Sequence, residues 1–79
     1  MSISKVKIDP LATNVNFDDN FLIVTLSDGR EIKVPLEWYP KLRNATKEQL
    51  KSWRLIGNGV GIHWEKLDED LSIEGFLAI

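Results

Sequence analysis

Apolar and polar positions alternate along the first half of the chain in a pattern that predicts β-strands. Val15 and Phe17 alternate with two asparagines, and Ile32 and Val34 alternate with charged residues. Residues 21–26, between these two stretches, are apolar on both faces, as expected for a strand at the centre of a sheet. The pattern therefore predicts a three-stranded antiparallel meander with residues 21–26 in the middle.

The turn between the second and third strands decides their register. A two-residue Asp28-Gly29 loop would place Val24 opposite Lys33 and mix apolar with charged side chains on one face. A three-residue loop, Ser27-Asp28-Gly29 with the glycine in the left-handed conformation, instead places Val24 opposite Ile32. We predict the second register, because it collects the apolar side chains on one face.

A two-residue Asp19-Asn20 turn between the first two strands places Phe17 opposite Leu22 and keeps the same face apolar. A three-stranded sheet with one bare apolar face would aggregate, so this face needs a cover. We predict that short helices from the next part of the chain supply it. The predicted apolar face consists of Val15, Phe17, Leu22, Val24, Leu26, Ile32 and Val34.

Two short helices are predicted after the meander. Residues 36–42 have a helical pattern, but Pro40 is tolerated only in a first turn, so this helix is short. Thr46-Lys47-Glu48-Gln49 is a capping box, in which the hydroxyl of Thr46 and the side chain of Gln49 each bind the other residue's backbone amide. Leu50 and Trp53 would continue the apolar stripe of this second helix.

The last third of the chain predicts a small strand–turn–helix piece. Gly57-Asn58-Gly59 interrupts any helix, and Ile62-His63-Trp64 has the pattern of a short returning strand. Ser72 is a suitable N-cap for a final short helix, with a strand as the alternative for this last segment. At the other end, residues 1–10 are expected to form an edge strand or a frayed arm. The predicted fold class is α+β: a three-stranded antiparallel meander covered by short helices, with the C-terminal strand–turn–helix piece.

Length and composition predict one domain, residues 1–79, with a small core. Hydrophobic residues make up 43% of the 79 residues and charged residues 28%, which is ordinary for a globular protein. The sequence has no cysteine, which excludes disulfides, thiolate zinc sites and cysteine nucleophiles. No apolar run approaches the ~18 residues that a membrane span needs. A cytoplasmic protein without membrane contact is therefore expected.

Charge is distributed unevenly although the net charge is only −2. Residues 41–54 carry five basic side chains and one acidic one, whereas residues 65–79 carry five acidic side chains and one basic one. The two segments form either separate solvated faces or a pair of complementary patches, within one chain or between copies in a homo-oligomer. The basic segment also makes nucleic acid a weaker, alternative partner.

No catalytic, cofactor or metal signature is present. The glycines of residues 57–61 lack the spacing of dinucleotide and phosphate loops, and no helix start follows them. His63 with Asp68, Glu69 and Asp70 offers chemically suitable metal ligands or an acid–base pair. However, the spacing fits no known calcium loop, and there is no second histidine. We therefore expect no enzyme activity, no cofactor and no metal, and we expect His63 to bind an aspartate, either Asp68 or Asp70.

Aromatic residues are the main candidates for contact with a partner. Three tryptophans and one tyrosine are difficult to bury in so small a core, and such side chains dominate interface energies when exposed. The alternative is that they wedge the helices onto the sheet. The acidic cluster offers either a docking surface for a basic partner or caps for backbone amides. The candidate partner-binding residues are Trp38, Tyr39, Arg43, His63, Trp64, Asp68, Glu69 and Asp70.

Several blocks of the sequence together resemble a known family. The specific ones are Trp38-Tyr39-Pro40, Gly61-Ile62-His63-Trp64 and Leu67-Asp68-Glu69-Asp70-Leu71-Ser72, and the shorter matches are Asp28-Gly29-Arg30, Pro35-Leu36, Leu42, Ala45-Thr46, Trp53, Glu74-Gly75 and Leu77. In these residues, from about Asn14 to Leu77, the chain resembles the small bacterial domain-of-unknown-function family 2442.

The resemblance implies a compact α+β fold and no known reaction. It also implies a second small uncharacterised protein encoded beside members of the family, in an arrangement like a toxin–antitoxin pair. Some members carry a C-terminal helix-turn-helix domain, which does not follow here before Ile79. The hypothesis is therefore a non-enzymatic protein-binding module, regulatory or antitoxin-like, whose partner is the product of a neighbouring gene. The alternative is a nucleic-acid-binding or transcription-regulatory module that uses residues 41–54.

Overall fold

A computed structural model describes residues 11–77 of the chain. They form two three-stranded antiparallel sheets joined by short helices, which confirms the predicted α+β class. The predicted N-terminal strand or arm, residues 1–10, lies outside the described residues. The strands are β1 (Ala12–Phe17), β2 (Phe21–Leu26), β3 (Glu31–Pro35), β4 (Trp53–Ile56), β5 (Gly61–Trp64) and β6 (Glu69–Ser72). The helices are α1 (Pro40–Arg43), α2 (Lys47–Leu50) and α3 (Ile73–Leu77), with 3-10 turns at Leu36–Trp38 and Gly57–Gly59.

The first sheet, β1-β2-β3, has the predicted register. Val24 lies opposite Ile32, and Leu22 lies between Phe17 and Val34. The backbone amide of Leu26 donates to the carbonyl of Arg30 at 2.8 Å, which closes the predicted three-residue loop. Gly29 has the required positive φ, +92°. The register follows from burial because a slip of one residue would turn the whole apolar set to solvent.

A β-bulge at Thr13, which the sequence pattern did not indicate, extends the apolar face of β1. Ala12 is opposite Leu26 and Asn14 is opposite Thr25, so Thr13 is the extra residue. With the extra residue, Ala12 and Val15 both face the core although they are three positions apart, and both are buried.

The second sheet, β4-β5-β6, supplies a large part of the cover for the first. Its central strand contributes Ile62 and Trp64, which are both fully buried in the shared core. The helical segments add Leu36, Leu42, Ile73 and Phe76 to that core. The predicted short helices therefore supply part of the cover, and a second sheet, which carries the buried Trp64, supplies the rest.

Trp53 also lies on a strand rather than on the helix that precedes it. The capping box forms as predicted, with the Gln49 amide donating to the Thr46 hydroxyl at 3.1 Å and the Thr46 amide to the Gln49 side chain at 2.9 Å. However, α2 ends at Leu50, and Trp53 begins β4 opposite Trp64. Pairing with β5 stabilises the extended form more than one further helical turn would, since short helices are marginal alone.

The C-terminal region contains one strand more than predicted. Residues 69–72 form β6, which pairs with β5 before the chain enters α3. Ser72 caps α3 as predicted, because its hydroxyl accepts the amide of Gly75 at 2.9 Å. Within residues 11–77, no helix is long and apolar enough to cross a membrane.

Candidate functional site

The 3-10 turn after β3 exposes one tryptophan. Trp38 is 53% exposed although it is a large apolar side chain, and it lies at the end of this turn. The turn begins at the buried Leu36, whose carbonyl accepts the amide of Tyr39 at 2.9 Å. Leu36 is therefore fixed in the core while Trp38 points outward.

Tyr39 anchors the next part of this segment to the end of the chain. Its ring meets that of Phe76 edge-on, with the ring centroids 5.9 Å apart. Burial raises the pKa of the Tyr39 phenol above its ordinary value of 10.0, and the nearby Glu69 carboxylate raises it further. The phenol is therefore neutral at pH 7.

The acidic turn lies beside this aromatic segment. Lys41 of α1 donates from Nζ to the backbone carbonyl of Asp68 at 3.3 Å, and Glu69 acts on the pKa of Tyr39. Asp68 itself has a positive φ of 50°, a conformation that favours glycine, asparagine and aspartate in tight turns. The structure thus brings the acidic turn beside Tyr39 and Lys41. Together with Trp38, which directly precedes Tyr39 in the chain, these residues define what we name the aromatic–acidic surface: Trp38, Tyr39, Asp68 and Glu69.

His63 and Asp70 lie on the outer face of the second sheet. They are opposite each other on β5 and β6, and Nδ1 of His63 forms a hydrogen bond with the Asp70 carboxylate. Arg54 on β4 is opposite His63 from the other side. Asp70 is therefore the aspartate that binds His63, one of the two expected from the sequence. The His63 side chain is 19% exposed and that of Asp70 is 71% exposed, so this is an open face and not a pocket.

Trp64 lies in the core and presents no surface to a partner. It is fully buried, its indole N–H donates to the carbonyl of Leu50 at 3.0 Å, and its ring lies 6.4 Å from that of Phe17. Its selection as a contact residue is at odds with this burial. The sequence shows that Trp64 is aromatic, but only the pairing of β4 with β5 shows which way the side chain points.

The five basic side chains of residues 41–54 do not form a single stripe. Lys41 reaches the acidic turn, and Arg54 lies on the outer face of the second sheet. Arg43, Lys47 and Lys51 instead line a cleft of about 670 Å³ between β1 and the α1–α2 segment. Arg43 also donates to the carbonyl of Asp19 at 2.8 Å, which ties α1 to the β1–β2 turn.

Metal-ligating side chains are dispersed in the part of the chain that the structure describes. No three of its histidine, aspartate and glutamate residues lie together as a metal site would require. His63 and Asp70 contact each other, but no third ligand among the described residues lies beside them. The backbone carbonyl of Asp68 is bound by Lys41 instead.

The sequence matches the profile of a family described as "Protein of unknown function (DUF2442)" over residues 12–79. The chain belongs to this family. The family resemblance seen in the sequence is therefore confirmed.

Two solved structures are similar to this DUF2442 chain. One is the crystal structure of a protein of unknown function from Rhodospirillum rubrum, with 34% identity and a TM-score of 0.77, covering 90% of this chain and 88% of that one. The other is the solution structure of an uncharacterized protein from Chromobacterium violaceum, with 27% identity and a TM-score of 0.73. That match covers 86% of this chain and 64% of the other. Among curated proteins, none matches the sequence.

The cleft is the feature of this DUF2442 chain that the sequence did not reveal. Its floor includes Leu36 and Leu42, which are buried, and the half-buried Trp53. Its rim includes Asn14 and Asn16 of β1. In the sequence these two residues indicate only the solvent-facing side of a strand with alternating polarity. No local signal marks the cleft, because it is created by packing α2 and β4 beside β1.

Proposed function

We propose that the chain is a non-enzymatic protein-binding module that docks a partner through its aromatic–acidic surface. The observation that carries the proposal is the 53% exposure of Trp38 on a turn that begins at the buried Leu36. Because the turn already fixes the backbone of Trp38, binding a partner costs less conformational freedom than it would on an irregular loop. Tryptophan is also among the side chains that contribute most binding energy at protein interfaces.

Charge around Trp38 indicates the chemistry of the partner. Asp68 and Glu69 lie beside the aromatic segment and Glu37 directly precedes the tryptophan, so three carboxylates stand against one nearby cation, Lys41. Acidic groups around an apolar anchor increase the rate of encounter with a basic surface. The partner should therefore present an apolar pocket for Trp38 that is rimmed by lysine or arginine.

The product of a neighbouring gene is the first partner to test. The family resemblance implies a second small protein encoded beside this one, in an arrangement like a toxin–antitoxin pair. A basic toxin-like protein would complement the acidic turn. In this function the chain is the regulatory or antitoxin-like member. Its own chemistry is then limited to recognition, and any reaction belongs to the partner.

The experiment is co-purification of the chain with the product of the neighbouring gene, followed by calorimetry. We expect micromolar or tighter binding. Trp38→Ala should weaken it at least tenfold, because tryptophans at the centre of interfaces often contribute about 2 kcal/mol or more. Asp68→Asn keeps a residue that tolerates the positive φ, removes the charge and should slow association. Glu48→Gln on α2 is the matched control and should change neither quantity. If no complex is recovered at micromolar concentrations, the proposal is wrong.

The alternative function, nucleic-acid binding, would use the three cations that line the cleft. Arg43, Lys47 and Lys51 are on one surface, which is a smaller footprint than residues 41–54 suggested. Phosphate contacts make binding fall steeply as salt rises. A titration with DNA and RNA oligonucleotides at low salt tests this, and an absence of any salt-dependent shift would exclude it.

A further inference from the structure

The first sheet has an outer face, turned away from the core, on which the middle strand carries apolar side chains. Strand β2 alternates between three buried residues that face the core and three half-buried ones that face away, Phe21, Ile23 and Thr25. Within residues 11–77, neither Phe21 nor Ile23 belongs to the core or packs against it. These two side chains therefore form an apolar row of their own on the outer face.

The strands on either side of this row are polar on the same face. Antiparallel pairing produces two cross-strand rows: Asn14, Thr25 and Glu31 in one, and Asn16, Ile23 and Lys33 in the next. The asparagines of β1 and the charged residues of β3 are exposed. A sheet face that meets only water usually carries polar side chains on every strand, and an apolar row rimmed by polar groups is typical of an interface.

The charges of this face favour a second copy of the chain over an acidic or a basic partner. Glu31 and Lys33 cancel each other, and both are on β3, whereas β1 carries only amides. When two copies pack face to face about a two-fold axis along β2, β1 of each copy lies over β3 of the other. Lys33 then meets Asn16 of the other copy, and Glu31 meets Asn14. An asparagine amide both donates and accepts, so it can bind either charge.

The other two-fold axis in the plane of the sheet, which runs across the strands, is unfavourable. It would place Lys33 over Lys33 of the other copy, and juxtaposed like charges are costly at an interface. It would also place Phe21 over Thr25 and so separate the apolar side chains. Charge and apolar pattern thus select the axis along β2.

We infer that the outer face of the first sheet is the interface of a homodimer, in which Phe21 and Ile23 pack on their own counterparts as in a β-sandwich. Three strands about 4.8 Å apart, each of about six residues that rise about 3.4 Å, give a face of roughly 14 by 20 Å. Two such faces bury on the order of 1,000 Å² in total, the lower limit for a specific interface, so the dimer is weak, with a Kd of about 100 µM. This inference does not depend on the aromatic–acidic surface, which uses other residues.

The first experiment is sedimentation equilibrium of the full chain from about 10 µM to about 1 mM, a range that brackets the expected Kd. The average mass should rise from the 9.0 kDa of one chain toward twice that value. NMR spectra over the same range should show amide shifts that depend on concentration at residues 21–25. A constant mass up to the highest concentration would overturn the inference, and so would a dimer whose shifts lie elsewhere.

Ile23→Glu tests the apolar row. In the monomer the new carboxylate is opposite Lys33 across the strand pair, so the fold should be retained. In the dimer position 23 lies on the two-fold axis, so two glutamates face each other and dimerisation should weaken at least tenfold. The matched control is Val60→Glu, the same change at a 53% exposed apolar residue outside the first sheet, which should leave the Kd within about twofold. Equal weakening by both variants would contradict the proposed interface.

The two asparagines of β1 test the axis, since the same substitution should have opposite effects at the two positions. Asn16→Asp places a carboxylate over Lys33 of the other copy and should strengthen the dimer about two- to fivefold, whereas Asn14→Asp places one over Glu31 and should weaken it about as much. Under the axis across the strands, Asn16→Asp would bring two carboxylates together and weaken the dimer. Effects of the same sign at both positions would therefore overturn the arrangement.

A different occupant of this face would also be visible. If the chain stays monomeric and Ile23→Glu abolishes its binding to the product of the neighbouring gene, the face belongs to that product and the homodimer is wrong. If Trp38→Ala weakens that binding and Ile23→Glu does not, the two surfaces are separate, as inferred.

Discussion

The two sheets of the molecule are built on opposite plans. In the first sheet, strands of five or six residues turn one continuous aliphatic face toward the core. In the second sheet, each strand has four residues, and the row at one end of its inner face is Trp53, Trp64 and Glu69. A sheet of such short strands has little stability of its own. The second sheet is therefore held mainly by a few large side chains that reach the first, while its outer face carries the polar row of Arg54, His63 and Asp70.

Trp64→Ala should have the largest effect, because it removes the side chain that links the two sheets. Trp64 is fully buried, contacts Phe17 edge-on and binds the carbonyl of Leu50. Truncation of a buried tryptophan costs about 3–5 kcal/mol, a large part of the total stability of a small domain. Urea unfolding followed by circular dichroism measures it. Trp38→Ala, at a 53% exposed position, is the control and should change stability by less than about 0.5 kcal/mol.

Gly59→Ala tests the backbone contact between the sheets and should come next in size. Gly59 has a φ of +109°, and a Cβ atom there would lie 2.3 Å from the carbonyl oxygen of Ala12 on β1. Gly29 in the β2–β3 loop has a φ of +92° but open space around it. Both substitutions add backbone strain of about 1–3 kcal/mol, and only the first adds a clash. We expect Gly59→Ala to be the more destabilising by urea unfolding, and equal costs would show that the sheets are not tightly apposed there.

Local patterns predict the first sheet well because burial and turn chemistry act between neighbours in the chain. The alternation of Val15 and Phe17 and the position of Gly29 together determined the register. The second sheet was predicted only in part, since the pairing of Trp53 with Trp64 joins segments that no local pattern connects. The capping box at Thr46 correctly predicted where α2 begins, but it contains no information on where the helix ends.

The candidate site was predicted less completely for the same reason. The sequence selected Trp38, Tyr39 and the acidic turn, but as separate alternatives, and only the tertiary structure places Lys41 against Asp68. The sequence also offered Trp64 as a candidate contact residue, because an aromatic residue beside His63 has the same pattern whether it faces inward or outward. The cleft lay outside any prediction, because its two walls come from β1 and from residues about thirty positions later.

Acid should weaken the first sheet through its turn carboxylates. Hydrogen bonds from the amides of Asn20 and Phe21 lower the pKa of Asp18 below its model-compound value of 3.8. Stabilisation from a lowered pKa is fully present above the unfolded-state value and is lost as the pH falls through the folded-state value. Asp18→Asn keeps an oxygen that accepts these amides but removes the charge. Urea unfolding of the two proteins should differ at pH 6 and converge near pH 2, and a constant difference would contradict this origin.

The smallest effect is expected on the outer face of the second sheet, where His63 and Asp70 form a cross-strand pair. Asp70 is 71% exposed at its side chain, and cross-strand pairs at such positions contribute only about 0.2–1 kcal/mol. A double-mutant cycle with His63→Ala and Asp70→Ala, measured by urea unfolding at pH 6, should give a coupling in that range that decreases in high salt. A coupling above about 2 kcal/mol would mean that water is excluded from this pair in solution. The second sheet would then have a polar anchor of its own, and its stability would not depend mainly on Trp64.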